Sequence, residues 1–249
     1  MGIGEPMLGF AIHKNNVDFA VAEINAVVGK GKLLGDLFVV DCAYNKKFER
    51  LGLTKEIYDL GGRKQLITDL NKINQFEKRR AHLLPSGHPA MTHPRVARAM
   101  INLSCASAIF DPFCGAGGIL IEARLCGVRC AGIDIDPVMV RRASANMKHF
   151  GLAASVRLGD AKMFRKKVEA VVSDLPYGLS TKITSELGEL YLKFFENLRE
   201  NRVKTAVVGL QDFVDYKPFV RDAGYRLDFE FVYYLHKNLS KRVVVLALR

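Results

Sequence analysis

From Met91 onward, short β-branched or apolar runs alternate with stretches of helical periodicity. That alternation predicts an α/β fold, a parallel sheet covered by helices on both faces. Strands are expected at Ala108 to Phe113, Arg129 to Asp134, Ala154 to Leu158, Glu169 to Asp174 and Thr205 to Leu210. Helices are expected from Gly118 to Cys126, Pro137 to Phe150, Ser185 to Glu200 and Tyr216 to Ala223. The ending breaks this rhythm. Arg226 to Leu235 and Arg242 to Leu248 are both strand-like with only a short polar connection, so they should pair antiparallel.

The first part of the chain reads differently. Leu8 to His13 and Leu37 to Asp41 are strand-like, Phe19 to Val28 is helical, and polar loops lie between them, which predicts a small α+β domain over residues 1–62. The charged stretch Lys64 to Arg80 reads as a helix or linker, and His88, Pro89 and Pro94 punctuate the approach to the next unit. The expected division is therefore 1–62, a linker over 63–88, and a catalytic domain over 89–249. A chain of 249 residues suits one full core plus an appendage.

Composition, at 49% hydrophobic and 25% charged, excludes a disordered chain. A formal net charge of +11 points to a polyanionic partner, because clustered Lys and Arg release counterions condensed on phosphates. Five cysteines, never spaced Cys-x-x-Cys, argue against a disulfide framework or a zinc site and fit a reducing cytoplasm. No apolar run approaches the roughly 18 residues of a membrane span, and no leader pattern opens the chain, so a protein neither embedded nor secreted is expected.

Candidate chemistry gathers at the expected strand ends, where ligands of open α/β sheets bind. Strand one runs into Asp111-Pro-Phe113-Cys-Gly115-Ala-Gly117-Gly118, whose glycines let the backbone turn against a ligand. The acid before the turn would repel a pyrophosphate and attract a cationic sulfonium and amino group, which favours S-adenosylmethionine over a dinucleotide. Asp134, with Ile135 beside it, closes strand two where a carboxylate can accept from ribose hydroxyls. Asp160, followed by Ala161, stands where it can accept from an adenine amino group.

Strand four ends in Asp174-Leu175-Pro176-Tyr177-Gly178. An amino group on a nucleobase is a poor nucleophile, since its lone pair is delocalised into the ring. Asp174 and the Leu175 carbonyl can each accept one of its N–H groups and stabilise the charge that builds during transfer. Pro176 fixes the turn, and Tyr177 offers a face for stacking an extruded base. Such a transfer needs alignment and acceptors, with no metal.

Lys182, Lys237 and Arg242 fall at the same sheet edge and are candidate phosphate contacts. Arg79, Arg80, Lys166 and Lys167 read as a solvated face. Cys114 has no His placed to activate it and reads as packing. His82, His88 and His93 match no zinc spacing.

These residues resemble the archaeal tRNA guanine-N2 methyltransferases that modify the guanine at position ten. The resemblance rests on Phe76 to Arg80 with His88-Pro-Ala, on Asp111 to Glu122, on Asp174 to Ile183, and on Leu187 to Tyr191. It implies a Rossmann-like class I methyltransferase sheet ending in an antiparallel hairpin, preceded by a ferredoxin-like domain. It further implies S-adenosylmethionine as donor and tRNA as partner. The segment Arg50 to Tyr58 is similar to the family's amino-terminal domain, yet the gap from there to Phe76 is too short for the THUMP domain that relatives use to grip tRNA. That domain is expected to be absent or reduced, leaving room for a partner protein. Two other readings stay open: an amino-methyltransferase acting on rRNA guanine, DNA adenine or protein glutamine, and a non-catalytic RNA-binding partner with the same fold.

Overall fold

In the computed structural model, which describes residues 6–176, 185–236 and 239–249, the first unit is a five-stranded sheet with one long helix. It comprises β1 (Leu8–Ile12), α1 (Val17–Val27), β2 (Lys32–Leu34), β3 (Leu37–Val40), β4 (Thr54–Asp59) and β5 (Gln65–Asp69), in the order β2-β3-β1-β4-β5. β1 pairs antiparallel with both β3 and β4. A β1-α1-β2 unit split by β3, with β4 on the far side, is the ferredoxin-like arrangement. The 3-10 turn Lys46–Arg50 stands where such a domain places its second helix.

β5 carries the sheet past the expected edge at residue 62 and into the charged stretch read as helix or linker. Its five positions are exposed or only half-buried, so an edge strand left no hydrophobic alternation to read. The helical part of that stretch is short: α2 (Leu70–Asn74), begun by Asp69, whose side chain accepts from the backbone N–H groups of Asn71 and Lys72 at 3.0 and 3.2 Å.

Pro94 does more than punctuate, since it opens α3 (Pro94–Leu103) at the first helical position, where its missing N–H is harmless. There follow β6 (Ala108–Asp111), α4 (Gly118–Leu125), β7 (Arg129–Asp134), α5 (Pro137–His149), β8 (Ser155–Leu158), β9 (Ala170–Asp174), α6 (Ser185–Glu200), β10 (Thr205–Gln211), α7 (Lys217–Asp222), β11 (Tyr225–His236) and β12 (Leu239–Leu248). The seven-stranded sheet runs β11-β12-β10-β9-β6-β7-β8. Its pairs from β8 through β10 are parallel, and β12 is antiparallel to both β10 and β11. The last strand is thus wedged inside the sheet. Strand order reverses between β6 and β9, and that switch point opens a crevice at the carboxyl edge. Among the described residues no helix is long and apolar enough to cross a membrane.

The two units share one core. α1 packs on α3, and Phe19 stacks on Phe231 of β11 with ring centroids 4.7 Å apart. Glu23, fully buried on α1, accepts from the backbone N–H of Gly52 (2.7 Å) and Leu53 (2.9 Å) and from Asn102 Nδ2 on α3 (2.7 Å). Arg79 is a buried strut and not part of a solvated face: its Nε lies 2.5 Å from Glu122 Oε1, while Arg98 holds Glu122 Oε2 at 2.7 Å.

Candidate active site

The carboxyl ends of β6, β7, β8 and β9 surround a cavity of about 480 Å³. β6 delivers Asp111 at its end, almost fully buried, where the carboxylate accepts from Ser173 Oγ (2.5 Å) and from Phe113 N–H (3.2 Å). Burial pushes the Asp111 carboxyl up to about 7 against these two hydrogen bonds, and the nearby Asp134 and Asp174 push the same way. The same burial, followed by Asp111 and Asp134, raises the Cys114 thiol well above its ordinary range, so this cysteine is held protonated.

The turn after β6 uses its glycines for two different purposes. Gly115 has φ +50° and open space where a Cβ would stand, and its N–H donates to Asp134 Oδ2 at 2.8 Å. Gly117 has φ +88°, and a Cβ there would lie 3.2 Å from the backbone of Ala143, so it sets the packing of α4 on α5 and does not line the cavity. Asp134 Oδ1 accepts from Asp136 N–H (3.0 Å), which leaves each of its oxygens one further lone pair. Phe113, Gly115, Ile135, Asp160 and Ala161 all line the cavity with Asp111 and Asp134. Asp160 accepts from Lys162 N–H (2.8 Å), and the Lys162 ammonium lies 3.7 Å from it.

β9 brings Asp174, Leu175 and Pro176 to the same cavity. Three independent anchors fix this turn. Leu175 N–H donates to the Gly209 carbonyl on β10 (2.9 Å), Tyr191 on α6 donates its hydroxyl to the Pro176 carbonyl (2.9 Å), and Asp174 itself is held from the side. Asp174 Oδ2 accepts from Thr92 Oγ at 2.6 Å and from the Lys241 ammonium. Asp174 Oδ1 is buried with no partner among the described residues, beside Gly209, where a Cβ would come within 2.6 Å of it. A buried acceptor left open is costly unless a ligand N–H satisfies it.

Neither Thr92 nor Lys241 stood out in the sequence. Lys241 is 3% exposed and sits one residue before Arg242, which was expected at the site. Period two decides between them: Lys241 is in phase with Val243 and Val245, on the sheet face toward α1 and α3, whereas Arg242 is in phase with Val244 and Leu246 on the opposite face. Arg242 is ion-paired to Glu230 (2.9 Å) and lies over the Tyr216 ring at 5.7 Å, on the other side of the sheet from Lys241. The signal for Lys241 was a lysine in register with inward-facing valines. Tyr177, Lys182 and Lys237 lie outside the described residues.

The chain's likeness to known proteins follows the same region. A tRNA (guanine(10)-N2)-dimethyltransferase from Methanothermobacter thermautotrophicus is 35% identical over 180 residues, covering 69% of this chain and 53% of that protein. Its counterpart from Pyrococcus abyssi is 33% identical over 182 residues, covering 70% and 55%. The chain thus spans about half the length of the curated relatives it matches. A crystal structure of a possible methylase from Clostridium difficile 630 superimposes on 99% of this chain and 98% of its own, with a TM-score of 0.59 at 13% identity, and shares the fold. Residues 82–226, from the approach to α3 into the start of β11, match the RMKL-like methyltransferase domain, and the chain belongs to that family.

Proposed function

We propose that the chain transfers a methyl group from S-adenosylmethionine to the exocyclic N2 amino group of a guanine in tRNA. The observation that supports this most is the divided state of Asp174, with one oxygen clamped by Thr92 and Lys241 and the other buried without a partner among the described residues. An aromatic amine that gives its N–H bonds to Asp174 Oδ1 and the Leu175 carbonyl regains electron density on nitrogen, and the charge that builds during transfer is stabilised. The clamp holds these acceptors in place before substrate arrives, so little reorganisation is left for the reacting step.

The cavity's own chemistry fits the donor. Asp111, Asp134 and Asp160 line it against one lysine, Lys162, a balance that suits a cationic ligand and repels a pyrophosphate. Asp134 would hold the ribose hydroxyls, Asp160 the adenine amino group, and the Gly115 turn the amino-acid end. When bound, S-adenosylmethionine supplies a methyl group made electrophilic by its sulfonium.

The choice of tRNA guanine rests on the two archaeal relatives and on the net charge of +11. Incubation with unmodified total tRNA and labelled donor, then nucleoside mass spectrometry, tests it: N2-methylguanosine or N2,N2-dimethylguanosine is the expected product. Label in another nucleoside, or only in rRNA, DNA or protein glutamine, would replace the target, and no transfer to any of them would point to a non-catalytic protein. A cytoplasmic protein partner that adds tRNA contacts belongs to the same proposal, and full activity of the purified chain alone would remove it.

A further inference from the structure

A second cavity, of about 620 Å³, adjoins the first. It lies between the two units: the loop after β1 supplies His13, Lys14 and Asn16, β4 supplies Lys55, and the segment leading into α3 closes the other side. Ala90, Met91 and Thr92 line both cavities. Lys241 lines this one while its ammonium contacts Asp174, which lines the other. Asp174 thus lines the first cavity and is joined to the wall of the second through Thr92 and Lys241.

The chamber's charge is one-sided. Lys14, Lys55, Arg80, Arg95 and Lys241 all line it, and among the described residues no carboxylate does. Glu77, outside the lining, offsets part of this through Arg80 (3.4 Å) and Arg95 (3.7 Å), while Lys14 and Lys55 have no ion pair among the described residues. His13 carries no charge at neutral pH: burial first, then Arg95, Lys55 and His93, lower it to about 4 against the pull of Glu77. Its Nε2 and the Oδ1 of Asn16 are buried and unpartnered, so a ligand here meets cations together with neutral hydrogen-bonding groups.

We propose that this interdomain chamber binds the ribose–phosphate backbone of RNA beside the target nucleotide, which makes the amino-terminal unit part of the substrate site. The inference rests on the RNA-methylation reading above. Phosphates match Lys14, Lys55 and Arg80, and a ribose 2′-hydroxyl, which both donates and accepts, matches a neutral imidazole and an amide oxygen. The arrangement also suits the displacement. The amine must approach the methyl group from the side opposite the sulfur, so donor and acceptor should reach Asp174 from different chambers. An acidic protein segment would satisfy the cations alone.

The test compares two double variants that remove the same charge. Lys14→Ala/Lys55→Ala empties the chamber of its unpaired cations. Lys166→Ala/Lys167→Ala removes two lysines just before β9, at the opposite edge of the sheet. Binding of an unmodified tRNA transcript is measured across a salt series, with donor affinity measured separately. For the chamber variant the slope of log K against log salt should flatten by about 1.5, as expected for two lost phosphate contacts. The KM for tRNA should rise about tenfold, with kcat and donor affinity within twofold. Equal slopes in the two variants, or an unchanged KM, would overturn the proposal, as would displacement of tRNA from the chamber by polyglutamate as readily as by RNA. A wild-type chain that binds tRNA with this chamber-dependent slope but methylates another target would sink the tRNA-guanine reading and leave the chamber standing.

Discussion

At the scale of single residues the site turns on how one carboxylate is shared. Thr92 and Lys241 take one oxygen of Asp174, and the other is buried without a partner among the described residues. Replacing Asp174 with Ala should abolish transfer while donor affinity stays within a few-fold, measured by single-turnover kinetics and calorimetry. Equal loss of both would assign the residue to the donor. Lys241→Met should lower kcat by about ten- to a hundredfold with little change in donor affinity, and Lys241→Arg should recover part of it. Gly209→Ala is a backbone version of the same test: its methyl would press on Asp174 Oδ1, so kcat should fall well before thermal stability does. Asp111 makes a prediction in pH. An acid raised in the folded state keeps a proton that the unfolded chain has lost, so stability falls as pH rises from about 4 towards 7 and is then flat. A cation in the cavity favours the ionised form, so donor affinity should rise with pH up to about 7 and level off above it. An Asp111→Asn variant should lose that slope in calorimetry, and a slope that survives would assign it to another group.

At the scale of elements, legibility followed burial. The parallel strands and their helices were readable because apolar runs of strand length alternate with helical periodicity, and the acids at their ends fell where the topology requires a crevice. β4 and β5 were not read as strands. Both carry charged and polar residues, and β5 is an edge strand with no buried position, so pairing with a neighbour and not hydrophobic pattern makes it a strand. The final hairpin is legible as antiparallel from its two strand-like runs, but its phase is not. With β12 wedged between β10 and β11, one residue of register decides that Lys241 meets Asp174 and Arg242 meets Glu230. α3 was hidden by its own proline. It is locked to α4 through Arg98 and Glu122, and Arg79 completes the cluster. Glu122→Gln would leave two buried guanidiniums without their counter-charge and should cost about 3–5 kcal/mol, read as a lower urea midpoint at unchanged m-value.

At the scale of the whole molecule the two units share a continuous core through α1, α3 and the sheet face carrying Phe231, and Glu23 ties the amino-terminal loop to α3. A single calorimetric transition is expected, and two separable transitions would show that the interface is weaker than its packing suggests. The same interface creates the basic chamber, which no stretch of sequence displays because its residues come from positions as far apart as His13 and Lys241. By itself the sequence determined the α/β class, the glycine turn and the acids at the strand ends, because each is a local pattern carried by neighbours in the chain. Only the tertiary structure decided which lysine pairs with Asp174, which of its oxygens lacks a partner among the described residues, and that the amino-terminal unit walls the neighbouring chamber. Those depend on strand register and on contacts across more than two hundred residues of chain, which side-chain periodicity does not encode.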